Sequence, residues 1–150
     1  MDPVMTQIAQ AQELASSGDR AGARSAFEKV WEEISAAPDA LHIVALAHYM
    51  ADVQDDPAQE LCWDLRALDA ADSLTDARAQ EHHASLQVAG FYPSLHLNLA
   101  ADYRKLGRDT EAVEHLTKAE ASVGTLADDG YGRMIRGAIE RLRAELIRDH

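Results

Sequence analysis

Residues 94–119, SLHLNLAADYRKLGRDTEAVEHLTKA, decide the fold of this chain, which has 150 residues. Small and large apolar residues recur on both sides of Gly107 at the spacing of three or four that places side chains on one helix face. Glycine often ends a helix because it adopts the left-handed backbone conformation without strain. The stretch therefore predicts two helices joined by a tight turn, with an apolar face formed by Leu99, Ala100, Tyr103, Ala112, Leu116 and Ala119.

The rest of the chain repeats this alternation of helical stripes and turn residues. Asp56-Pro57 is typical of a helix start. Gly90 and Pro93 interrupt a helical region at about residues 75–106, which fits either two helices or one helix kinked near Pro93. No window alternates β-branched and polar residues as a strand would. We predict one all-α domain over residues 1–150, with helical hairpins at about 3–36, 39–71 and 92–123, an extra helix at about 75–90 and a last helix at about 131–148.

The first hairpin has the spacings of the third, at Ala11, Leu14, Gly18, Ala23, Phe27 and Val30. Both units resemble the tetratricopeptide repeat (TPR), which has two helices and a tight turn in about 34 residues, although the tryptophan of that pattern is absent from both. In the middle hairpin the turn and Ala67 fit the pattern, but Glu60 and Asp64 occupy positions that are expected to be apolar. The resemblance implies antiparallel hairpins stacked as a short TPR-like superhelix, closed by a C-terminal capping helix.

Composition limits the classes of function. The net charge of −12 opposes binding to a phosphate backbone, so we expect no nucleic-acid partner. It fits a basic or neutral partner, or solubility alone. The single cysteine, Cys62, excludes an intrachain disulfide and indicates a reducing compartment. We see neither a signal peptide nor an apolar run long enough to cross a membrane, and we expect a cytoplasmic protein.

Motifs that would indicate catalysis are missing from the sequence. It has no glycine-rich phosphate loop, no Gly-x-Ser-x-Gly elbow and no cysteine pair. The carboxylate pairs Asp55-Asp56 and Asp128-Asp129 stand at expected helix starts, where acidic groups interact favourably with the helix dipole. We therefore expect neither an enzyme nor a bound cofactor or metal.

The resemblance instead implies a scaffold or adaptor that binds a protein or peptide on its concave face, which the first helix of each hairpin lines. Asn98 beside Arg104 and Lys105 fits a clamp for a peptide carboxylate, although all three also fit ordinary surface positions. Alignment with the repeat places these residues on the concave face: Ile8, Gln12, Ser94, Leu97, Asn98, Ala101, Arg104 and Lys105.

Tyr92 and His96 are the remaining candidates for partner binding. They are four residues apart, share a helix face and flank Pro93, near which backbone groups need other hydrogen-bond partners. Two interpretations remain open. The segment is either a recognition patch or a packed kink in the core.

Two alternative functions come from other classes. Seven histidines permit a small-ligand or metal-binding helical domain in which His48, His83, His96 and Tyr92 converge from different helices. A self-associating structural module is the other alternative. We expect Trp31 and Trp63 to fill the core or the gaps between hairpins. Trp63 is the better candidate for exposure because the apolar stripe of the fourth helix points away from it, and an exposed tryptophan would provide a contact surface.

Overall fold

The computed structural model describes residues 2–82 and 88–148, and every regular element in these ranges is helical. The all-α prediction is confirmed. None of the described helices combines the length and hydropathy that crossing a membrane requires. Two short 3-10 helices lie at Val88–Phe91 and Val123–Thr125. The α-helices are α1 (Pro3–Ser16), α2 (Arg20–Ala36), α3 (Ala40–Asp52), α4 (Pro57–Ser73), α5 (Asp76–His82), α6 (Tyr92–Lys105), α7 (Asp109–Ser122) and α8 (Gly130–Arg148).

Aspartates begin the first four helices. The side chains of Asp2, Asp19, Asp39 and Asp56 each accept a hydrogen bond from a backbone N–H of the first turn. This capping satisfies donors that have no partner inside the helix, and a cap of this kind contributes about 1 kcal/mol. The sequence thus fixes these helix starts locally.

Glycines end the first helix of two hairpins. Gly18 and Gly107 have φ angles of 96° and 74°, in the left-handed region. After each glycine a backbone N–H bonds back across the turn, from Asp19 to the carbonyl of Leu14 and from Arg108 to that of Tyr103, both at 2.9 Å. This pattern closes the helix end and reverses the chain.

Successive helices pack as antiparallel pairs. Helix α1 packs on α2, α3 on α4, and α6 on α7. The pairs join because α2 contacts α3 and α4 contacts α6, and α8 packs on both α6 and α7. The extra helix predicted at about residues 75–90 falls on α5 and on the 3-10 helix Val88–Phe91, and residues 83–87 between them lie outside the described residues. Pro93 lies buried in the first turn of α6, so it begins a helix instead of kinking one.

The core consists largely of small residues between helices and of large residues between hairpins. Ala23, Ala67 and Ala112 are fully buried, which lets the helices of each hairpin approach closely. Trp31 of α2 meets Trp63 of α4 edge to face, with ring centroids 5.1 Å apart, and so joins the first two hairpins. This contact agrees with the expectation that both tryptophans fill gaps between hairpins, and Trp63, the better candidate for exposure, is half-buried because α4 turns that side toward α2.

Candidate functional site

A groove runs along the first helices of the three hairpins, α1, α3 and α6. It contains two pockets, of about 560 Å³ between α1 and α3 and about 250 Å³ between α3 and α6. Met5 and Tyr49 line both pockets, so the two are adjacent. Both pockets are open to solvent. The shape suits an extended ligand more than a small enclosed one.

The second pocket is mainly apolar. Leu41 and Val44 of α3 face Phe91 and Leu95 at the start of α6, and Tyr131 at the start of α8 closes one side. Apolar walls of this kind bind an apolar side chain by removing its surface from water.

A pair of polar side chains joins α3 to α6 beside this pocket. The Asn98 amide nitrogen lies 3.2 Å from His48 Nδ1. Because an amide N–H donates, Nδ1 accepts, and the other ring nitrogen of His48 carries the proton when the ring is neutral. His48 itself lines the pocket, so it offers that donor to a ligand.

The first pocket has an edge formed by Asp2 and Glu81, and Arg78 pairs with both carboxylates, at 3.5 Å and 3.2 Å. His42 Nε2 lies 2.7 Å from Asp2 Oδ2. Partial burial raises the pKa of Asp2, but hydrogen bonds from His42 and the backbone outweigh it, so the pKa falls below its usual value. Asp2 is therefore ionised at neutral pH. Of the residues that the structure describes, no lysine or arginine lines either pocket.

Four of the residues predicted for the concave face lie at the groove. Gln12 lines the first pocket with its Oε1 buried and lacking a hydrogen-bond partner among the described residues. Ser94 lines the second pocket, and its hydroxyl donates to the carbonyl of Phe91 at 3.1 Å. Asn98 lies beside the second pocket, because its amide hydrogen-bonds to His48. Ile8 borders the first pocket, but it is only 2% exposed because it packs into the core with α2 and α3, which leaves little of it for a partner.

The other four lie away from the groove. Leu97 and Ala101 pack against the core between α6, α7 and α8. Arg104 pairs with Glu145 of α8 at 2.7 Å, and Lys105 pairs with Glu60 of α4 at 2.8 Å. The carboxylate clamp is not assembled, since both cations are already neutralised and Asn98 bonds His48.

Tyr92 and His96 face α4 and α7 and do not line the groove. The Tyr92 hydroxyl donates to Asp72 at 2.7 Å. His96 stacks between Tyr92 and His115, and the two histidine Nδ1 atoms lie 3.1 Å apart. Burial, with the charges of His115 and Lys118, lowers the pKa of His96 to about 4. These contacts favour the interpretation as packed core.

The predicted histidine cluster does not form around one point. His83 lies outside the described residues. His48 and His96 have different partners, Asn98 on one face of α6 and His115 on another. Over residues 2–82 and 88–148, the one group with metal-ligand spacing contains no histidine and consists of Glu60, Asp64 and Asp102.

This carboxylate cluster lies between α4 and α6, and sequence reasoning found only part of it. Asp64 and Asp102 are 3% and 1% exposed. Burial raises the pKa of both, and for Asp64 the neighbouring carboxyl of Asp102 raises it further. The signals were present in the sequence: Glu60 and Asp64 replace apolar residues of the repeat, and Asp102 lies on the helical stripe of Leu95 and Leu99.

Comparison of the chain with protein-family models, with curated proteins and with solved structures found no match. The residues of the groove and of the carboxylate cluster therefore carry the functional inference.

Proposed function

We propose that the chain is a TPR-like scaffold that binds a peptide segment of a partner protein in the groove of α1, α3 and α6. The order of helix contacts supports the repeat arrangement, because the second helix of each hairpin packs on the first helix of the next. In such a stack the first helices share one face. The single observation that carries the function is that this face holds two adjacent, open pockets.

The chemistry of the groove favours one kind of peptide. The apolar pocket beside Val44 and Leu95 would hold a large apolar side chain. Arg78 pairs with both Asp2 and Glu81, so it is the net charge of −12 over the whole chain that would attract a basic flank. The ligand is therefore an apolar anchor next to lysine or arginine, and the activity is binding without a catalytic step.

Peptide display tests this proposal. Random peptides selected on the full chain should share an apolar anchor with a basic flank. Ala45 lines the apolar pocket, so Ala45→Arg should fill it and repel the flank. We expect that variant to bind the selected peptides at least about tenfold more weakly, or about 1.4 kcal/mol. The matched control is Ala121→Arg on the exposed side of α7, which should bind as the wild type does.

Two outcomes would contradict the proposal. If Ala45→Arg, folded by circular dichroism, binds the selected peptides as tightly as Ala121→Arg, the groove is not their site. If no peptide is enriched and light scattering shows a dimer that Ala45→Arg dissociates, a second copy of the chain occupies the groove, and the self-association alternative replaces the adaptor.

A further inference from the structure

Three carboxylates from two helices meet at the interface of α4 and α6. One oxygen each of Glu60, Asp64 and Asp102 lies within 4.8 Å of those of the other two. An ion at the common distance of about 2.4 Å from each oxygen fits such a set. The cluster is separate from the two pockets, since none of the three residues lines them.

Two oxygen atoms in this cluster lack an N–H or hydroxyl donor. Asp64 Oδ1 and Asp102 Oδ2 are buried, and neither accepts a hydrogen bond from another residue's N–H or hydroxyl within the described part of the chain, so the two carboxyls depend on a proton held between them. A buried carboxylate oxygen without a donor has lost its hydrogen bonds to water. Native proteins rarely leave this free-energy cost uncompensated. A ligand that offers positive charge to both atoms would remove this cost.

The charges of the cluster define that ligand. Lys105 is the cation that pairs with it, through Glu60 at 2.8 Å. Once the protons of the buried pair are released, three carboxylates and one ammonium sum to two formal negative charges, and Asp52, exposed at the end of α3, adds to the negative field. A divalent cation would balance the two formal negative charges of the cluster.

We propose that Glu60, Asp64 and Asp102 bind one divalent cation that prefers oxygen ligands, of the class of Ca²⁺, Mn²⁺ and Mg²⁺. The ligand set contains only carboxylates, and hard cations select oxygen over the nitrogen and sulfur ligands that zinc and copper favour. Bound there, the ion holds α4 against α6, the contact between the second and third hairpins.

Access to the cluster is through Glu60 and Lys105. The Glu60 side chain is 18% exposed and that of Lys105 is 53% exposed, so both reach solvent. The entering ion displaces the Lys105 ammonium from Glu60 and releases the protons that the buried pair holds. Its affinity therefore rises with pH, because protons compete for the same oxygens.

Calorimetric titration of the full chain, freed of metal with a chelator, tests the site. With Ca²⁺ and with Mn²⁺ as probes, we expect one ion per chain. Asp64→Asn should weaken binding by about tenfold or more, since loss even of an outer-shell partner has that effect. Asp69→Asn, an exposed aspartate on the same helix, is the matched control and should bind normally. Lys105→Met should bind the ion more tightly because its competitor is gone.

Glu60→Gln gives the same information if Asp64→Asn does not fold, because Glu60 is partly exposed. The proposal is wrong if the wild type binds none of Ca²⁺, Mn²⁺ and Mg²⁺ between pH 6 and pH 9, in which case the pair is held by protons alone. It is also wrong if Asp69→Asn weakens binding as much as Glu60→Gln does. Neither result bears on peptide binding, which Ala45→Arg tests separately.

Discussion

At the scale of single residues, burial decides which side chains carry charge. His96 lies between Tyr92 and His115, with Lys118 also near, and only Asp72 among these neighbours is negative. Burial and the neighbouring positive charges disfavour the protonated ring and lower the pKa of His96 to about 4. The cluster therefore packs as neutral rings at physiological pH.

The lowered pKa of His96 predicts that the folded chain loses stability in acid. The unfolded chain takes up a proton at His96 near pH 6.5, whereas the folded chain resists it down to about pH 4. Its contribution is thus present above pH 6.5 and is lost as the pH falls from 6.5 toward 4. An NMR titration of the His96 ring should give a midpoint near pH 4. His96→Phe should remove about one proton from the pH dependence of the unfolding free energy in that window.

A midpoint at or above pH 6.5 would contradict the buried placement of His96. So would an unchanged pH slope in His96→Phe, which keeps a stacking ring and removes only the titrating group.

At the scale of elements, helix ends follow from local chemistry. The aspartate caps, the prolines after Asp2 and Asp56, and the glycine turns each act within one helical turn of their own position. The sequence places the first hairpin at about residues 3–36, and α1 and α2 span Pro3–Ser16 and Arg20–Ala36.

Gly107 should be the more sensitive of two glycines that have open space around them. A methyl group at Gly107 or Gly124 would meet no atom within 4 Å, but only Gly107 has a left-handed φ, of 74°. Gly107→Ala should therefore lower the free energy of unfolding by about 1 kcal/mol through backbone strain alone. Gly124→Ala should change it by less than about 0.5 kcal/mol. Urea denaturation of both variants measures the difference, and equal effects would mean that the turn after α6 is not left-handed.

At the scale of the whole molecule, the direction in which each helix face points depends on its neighbours. The sequence predicted that Ile8, Arg104 and Lys105 would face the groove, yet Ile8 lies in the core and the two cations pair with Glu145 and Glu60. Successive side chains point about 100° apart around a helix, so an error of one residue in the facing position moves a side chain from the groove to the core or to a neighbouring helix. Periodicity in one helix cannot supply that rotation, which is set by packing between hairpins.

The dependence on packing between hairpins also explains which residues of the functional sites the sequence predicted and which it did not. Gln12 and Ser94, which the resemblance assigns to the concave face, line the first and the second pocket. Met5 and Tyr49, which line both pockets, were not predicted because they lie outside the repeat pattern. The meeting of Asp64 with Asp102 joins residues from different hairpins, so it required the tertiary arrangement.

Peptide binding in the groove is the central claim, and NMR of the 16.4 kDa chain tests it most directly. A peptide selected on the wild type is added to labelled protein, and the backbone amide shifts are followed residue by residue. The largest changes should fall on the groove faces of α1, α3 and α6, at Met5, Val44, Tyr49 and Leu95. Changes concentrated on α2 and α7 instead would place the peptide on the opposite side of the hairpins and contradict the account.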